Sequence, residues 1–156
     1  MDVESVDLGG RRRGTRGRRT PEEQSLDRLL GHRYGDVVEA IVEEESFVTR
    51  AMFGAVACYL HGRLALLLAD GDPPWDGILV ATAREHHESL RTEIPALRVH
   101  PILGKWLHLP AGADSFEDDG RRLARLALAD DARVGVEPRP RRRPAAGRRR
   151  IAGRRR

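Results

Sequence analysis

Two short stretches of this sequence hold the residue types that could carry out chemistry. Cys58 and His61 lie in "AMFGAVACYLHGRLALLLAD", residues 51–70, and a thiol near an imidazole is the pair that a nucleophilic site needs. His86 and His87 lie side by side in "TAREHHESL", where imidazoles beside carboxylates suggest metal binding or acid–base catalysis. Each of these readings depends on the elements that position the side chains.

Cys58 is the only cysteine, so the chain has no internal disulfide and no paired-cysteine metal motif. His61 and Gly62 form a two-residue turn signal between two strand-like runs, which predicts that His61 faces away from Cys58. No basic neighbour or helix N-terminus is evident to lower the pKa of the thiol. We therefore expect Cys58 to be a buried core residue.

Adjacent residues on a helix point about 100° apart, so His86 and His87 are poorly placed to share one metal ion. Ligand pairs on a helix are three or four residues apart, and neither histidine has such a histidine partner. The sequence thus favours a solvated helix face here. It predicts no catalytic, cofactor-binding or metal-binding residues.

The stretch "DGDPPWDG", residues 70–77, is a loop by composition and brings three aspartates close together. It lacks the ligand spacing and the closing glutamate of a calcium loop. Trp75 is the candidate contact residue for a protein partner, and the alternative is that it covers a sheet edge. Gly104 and Lys105 lack the surrounding GxxxxGK[ST] pattern of a phosphate loop, so the glycine is read as a turn.

Apolar residues at helical spacing from Leu26 to Val42 predict a helix that breaks near residue 33, between two glycines. Strand-like runs follow over residues 47–69 and 78–83, and a short strand is predicted at 105–110. Two capping signals, one at Thr82 to Glu85 and one at Asp114 to Glu117, predict two further helices. We expect an α+β fold of two layers, with a mostly antiparallel sheet and helices packed on one side.

The turn at His61-Gly62 sets a register in which Cys58 lies opposite Ala65 and Tyr59 lies opposite Leu64. The face that holds Tyr59, Ala57 and their partners pairs large side chains with small ones. We expect that face to pack under a helix.

The 156 residues suffice for one domain, and no apolar run approaches the ~20 residues of a membrane helix. Residues 26–138 carry twelve basic against nineteen acidic side chains, whereas residues 139–156 carry ten arginines and no acid. We expect a disordered Gly/Arg-rich arm at 1–21, a folded body at 22–137 and a disordered Arg/Pro-rich tail at 138–156. The candidate polyanion-binding residues are Arg141, Arg142, Arg143, Arg148, Arg149, Arg150, Arg154, Arg155 and Arg156.

The segments "RAMFG", "YLHGRLALLLADG", "LGKWLHLP" and "DSFEDDGRRLARLAL" resemble the N-terminal domain of the TfoX/Sxy competence regulators over residues 35–137. The resemblance implies a small cytoplasmic α+β domain and no catalytic residues. Regulators of this kind often carry a second, helical domain. In this sequence an Arg-rich tail stands at that position.

Together these features predict a cytoplasmic, non-enzymatic module that binds a protein partner or has a regulatory role, with no cofactor and no membrane contact. The alternative is a nucleic-acid-associated protein whose Arg-rich tail binds polyanions without sequence specificity. An enzyme that uses Cys58 or the histidines is a third, weaker alternative. The sequence leaves the oligomeric state open, a homodimer included.

Overall fold

Six strands and several short helices make up the structure, a computed structural model that describes residues 17–138. Among these residues no helix is long and apolar enough to cross a membrane. The strands are β1 (Val48–Met52), β2 (Ala55–Leu60), β3 (Arg63–Asp70), β4 (Asp76–Val80), β5 (Arg98–Val99) and β6 (Leu107–Leu109). The helices are α1 (Pro21–Leu30), a 3₁₀ helix (Gly35–Glu43), a 3₁₀ turn (Arg84–His86) that leads into α2 (His87–Glu93), and α3 (Phe116–Leu128).

The sheet has the strand order β1-β2-β3-β4-β6-β5, and every neighbouring pair is antiparallel. The helices pack on one face of it, where their apolar residues join Leu66, Leu68 and Ile78 in the larger core cluster. The opposite face carries smaller side chains and is covered in part by loops. The predicted α+β architecture of two layers is therefore confirmed. Strand β5 was not predicted, because only two residues form it.

The β2–β3 hairpin turns where the sequence predicts, with positive φ angles of 56° at His61 and 76° at Gly62. Tyr59 lies opposite Leu64, as expected. The register then shifts, so that Cys58 lies opposite Leu66 and not opposite Ala65. Ala65 is the extra residue of a β-bulge, and a periodic reading of the sequence cannot place such an insertion.

The bulge also decides which face of the hairpin lies under the helices. Ala65 and Leu66 both join the larger core cluster with Leu68, so the bulge moves Leu66 and Leu68 onto the Cys58 face, while Leu64 and Leu67 lie on the other face. The helices pack on that face because it offers more apolar area to bury. The prediction that the Tyr59 and Ala57 face lies under a helix was wrong.

Helix α1 begins earlier than the apolar spacing indicates, at Pro21, and the preceding Thr20 forms a capping box with Glu23. It ends at Leu30, just before the predicted break. Both later helices form, but neither begins with the predicted cap, because no side chain bonds to their first backbone amides. The Thr82 hydroxyl donates to the Ala83 carbonyl, and the Ser115 hydroxyl donates to the Asp119 carboxylate.

Candidate functional site

Cys58 lies in the core between the sheet and the helices, with no exposed surface. Burial raises the pKa of its thiol to about 12, because the thiolate would have to form without water around it. His61 lies at the hairpin turn, where its Nε2 donates to the Leu128 carbonyl at 3.0 Å and its Nδ1 is 3.8 Å from Glu44. The structure confirms the core assignment of Cys58 and gives His61 different partners.

The adjacent histidines also have structural partners. His87 donates through Nε2 to the Lys105 carbonyl at 2.7 Å, which ties α2 to the loop before β6. The Nε2 of His86 is 3.6 Å from the Glu85 carboxylate. No group of three or more His, Cys, Asp or Glu side chains within residues 17–138 is arranged to hold a metal ion.

Asp76, which ends the acidic loop and begins β4, links this loop to the chain at β6. Its Oδ2 accepts from the Ala111 amide at 3.0 Å, and its carbonyl accepts from His108 Nε2 at 2.5 Å. Trp75 is half-buried on the face of the sheet away from the helices, with its ring 4.7 Å from that of His100 and 5.8 Å from that of Phe53. Trp75 therefore packs on the face of the sheet and not on an edge strand, and its role as a partner contact stays a prediction.

The buried His100 joins this aromatic group in its neutral form. Its Nε2 donates to the Pro74 carbonyl at 3.1 Å, and its Nδ1 accepts from the Ile102 and Leu103 amides at 3.1 and 2.9 Å. Burial lowers the pKa of the imidazole, because the charged form would lose its hydration, and the neighbouring His108 lowers it further.

The nine candidate arginines of the tail lie outside the described residues. The last described residues, Val136 to Pro138, lie against the sheet, because Val136 pairs with Leu64 of β3 through two backbone hydrogen bonds of 2.9 Å. Arg63 holds the same segment by donating to the Gly135 carbonyl at 2.7 Å.

A groove of about 770 Å³ opens on the sheet face that the helices leave uncovered. This volume lies in the range of sites that bind small molecules or several side chains. Its walls are largely apolar, and they are formed by Met52, Phe53, Tyr59, Leu64, Trp106 and Val136. The groove could not be predicted from the sequence, because its lining comes from β1, β2, β3, the segment after β4, the loop before β6 and the chain after α3.

The groove rim carries charges of both signs. Arg84 and Lys105 supply two cations, and Glu85 and Glu137 supply two carboxylates. Lys105 is the only lysine of the chain, and it lies on this rim. The residues around it in the sequence did not predict a position at a groove. Arg50 lies over the Tyr59 ring, with its guanidinium carbon 5.6 Å from the ring centre.

Comparisons of the chain with protein-family models, with curated proteins and with solved structures find no match. The protein is therefore described by its fold and its groove. It is an α+β domain whose antiparallel sheet is packed on one face and presents an apolar groove on the other.

Proposed function

We propose that this chain is a cytoplasmic, non-enzymatic protein-interaction module of the TfoX/Sxy N-terminal-domain type. The observation that carries the proposal is the groove on the open face of the sheet. Apolar side chains line it, and a concave, mostly apolar surface is typical of a binding site. The partner would place apolar or aromatic side chains between Tyr59 and Trp106.

Two features of the described residues support a binding role over catalysis. The only thiol is buried with a raised pKa, so it is a poor nucleophile. The Nε2 atoms of His61 and His87 are each bonded to a backbone carbonyl, so one of the two ring nitrogens of each imidazole is occupied.

The positions of the family-like segments are consistent with the proposed relationship. "MFG" spans the β1–β2 turn and "HG" forms the β2–β3 turn. "GKW" leads into β6, and the last segment forms α3. These motifs thus fall on turns and elements that the fold itself requires, which is how structural family motifs behave.

Site-specific photocrosslinking tests the interaction. Benzoylphenylalanine replaces Phe53, on the groove wall, in the full chain expressed in its native cells. We expect a covalent protein adduct after irradiation, because the probe would lie against the bound partner.

The matched control places the same probe at Leu30, which is 54% exposed at the end of α1 in the helix layer. The position 30 probe should give no adduct. The absence of an adduct at position 53, or equal adducts at both positions, would contradict the proposal.

A second candidate function rests on the ten arginines and no acid in residues 139–156. Such a segment attracts any polyanion, and the acidic body makes the tail the natural contact. Binding of DNA or RNA by the full chain, compared with residues 1–138 at the same salt concentration, separates the two functions. Tail-dependent binding at low salt would support this second candidate.

A further inference from the structure

Phe53 stands in a backbone conformation that suits other residues better. It occupies the first position of the two-residue β1–β2 turn with φ at +54°, and Gly54 follows with φ at +74°. Turns of this type favour Asn or Asp before the glycine, and bulky side chains are rare in the left-handed region. A local conflict of this kind is often a sign of a functional position.

Contacts within the single chain do little to compensate for the unfavourable backbone conformation of Phe53. The Phe53 ring lies 5.8 Å from the Trp75 ring, yet 60% of the residue remains exposed. A large apolar side chain at a hairpin tip therefore projects into solvent. It gains its full hydrophobic stabilisation only when another surface covers it.

A recess that could cover such a side chain lies on the same patch. Phe53 itself forms part of the groove wall, together with Met52 and Trp106. The patch thus combines a projecting aromatic side chain with an apolar cavity. Two copies related by a twofold axis bring each projection to the other's cavity, since the same surface is used on both sides.

The charges at the rim are balanced, so the rim of a second copy can meet it without net repulsion at the groove. Its two cations, Arg84 and Lys105, are balanced by Glu85 and Glu137. In a dimer with twofold symmetry the rims of the two copies face each other, so a cation of one copy can lie opposite a carboxylate of the other. A strongly acidic or basic partner would meet as much repulsion as attraction.

We propose that the groove binds a second copy of this chain, with Phe53 of each copy inserted into the groove of the other. This inference rests on the proposed function and names the partner of the same groove. Each copy contributes a residue to the site of its partner, so the filled groove exists only in the dimer.

Analytical ultracentrifugation of the purified full chain tests the association. We expect a concentration-dependent species with twice the 17.5 kDa mass of the monomer. Both tryptophans of the chain pack on the open face, so their fluorescence reports on this surface. The emission should shift to the blue over the same concentration range. A chain that stays monomeric at several hundred micromolar would overturn the proposal.

The variant Phe53→Asn separates this role from a structural one. Asparagine suits the left-handed turn, so we expect an unchanged or higher melting temperature together with at least tenfold weaker dimerisation. The control Leu30→Asn removes a similarly exposed apolar side chain that does not line the groove, and it should leave dimerisation unchanged. Dimerisation that survives Phe53→Asn would contradict the inference, whatever the change in melting temperature.

The crosslinking experiment distinguishes failure of this inference from failure of the proposed function. A monomeric chain whose position 53 probe captures a different protein would reject the second copy and leave the groove as the interaction site. A monomeric chain with no adduct at position 53 would reject both.

Discussion

Cys58 illustrates how a single residue is assigned by its surroundings. Its sequence neighbours suggest reactivity, but its side chain is fully buried and its pKa is raised to about 12. At pH 8 we expect native Cys58 to react with a thiol reagent roughly a thousandfold more slowly than a free thiol, since the thiolate is the reacting form. A stopped-flow or mass-spectrometric labelling assay measures the rate.

The unfolded chain in guanidinium chloride is the control for Cys58, and its labelling should be fast. Rapid labelling of the native protein would mean that the thiol is exposed or activated. The core assignment would then fail, and the enzyme alternative would regain support.

His100 predicts how stability responds to mild acid. Burial lowers the pKa of His100 below its ordinary 6.5, so the unfolded chain binds more protons than the folded chain just below that pH. Stability is then fully present above about pH 6.5 and falls as the pH drops toward the pKa of the folded state. We expect a lower melting temperature at pH 5.5 than at pH 7.5.

The variant His100→Asn should melt at a lower temperature at pH 7.5 but lose less on acidification. Some pH dependence should remain, because burial also lowers the pKa of His32. The pKa values of Glu44 and Asp131 are lowered from already acidic values, so those carboxylates titrate below this window. An unchanged pH profile in the variant would show that His100 is not responsible.

At the scale of elements, Gly120 allows α3 to lie close against the rest of the body. A Cβ at this position would clash with Val37 Cγ1 of the 3₁₀ helix and would lie 3.0 Å from Ile78 Cδ1 of β4. The variant Gly120→Ala should therefore lower the free energy of unfolding by about 1–3 kcal/mol, as overpacking does. Chemical denaturation measures the change.

Gly112 provides the matched control for Gly120. A Cβ there would meet no atom within 4 Å, so Gly112→Ala should change stability by no more than about 0.5 kcal/mol. Equal effects at the two glycines would show that the packing of α3 does not depend on the missing side chain.

The edge strand β1 is protected by a contact between elements. The Thr49 amide donates to the Ser25 hydroxyl at 3.0 Å, and Arg28 donates to the Thr49 carbonyl at 3.3 Å. Helix α1 therefore occupies backbone groups that an edge strand would otherwise present to another strand. This protection favours association through the open face over association through the β1 edge.

At the scale of the whole molecule, charge is separated along the chain. The body is acidic, whereas residues 139–156 carry ten arginines. If the tail binds DNA, the logarithm of the binding constant should fall with the logarithm of salt concentration, with a slope of up to about −9 when every arginine neutralises a phosphate. Fluorescence anisotropy at several salt concentrations measures the slope.

The fragment 1–138 is the control for the tail, and its slope should be much smaller. Equal slopes for the fragment and the full chain would place any polyanion binding elsewhere in the molecule. Weak dependence on salt in the full chain would argue against the tail as a nucleic-acid contact.

The amino-acid sequence alone determined the α+β class, the turn at His61-Gly62, the break after α1 and the buried state of Cys58. These features depend on local chemistry, such as glycine at positive φ and apolar periodicity, which can be read along the chain. Only the tertiary structure decided which sheet face the helices cover, because that depends on the single extra residue Ala65 in the bulge. It alone also revealed the groove, whose walls come from segments as far apart as Met52 and Pro138 and meet only in the folded chain.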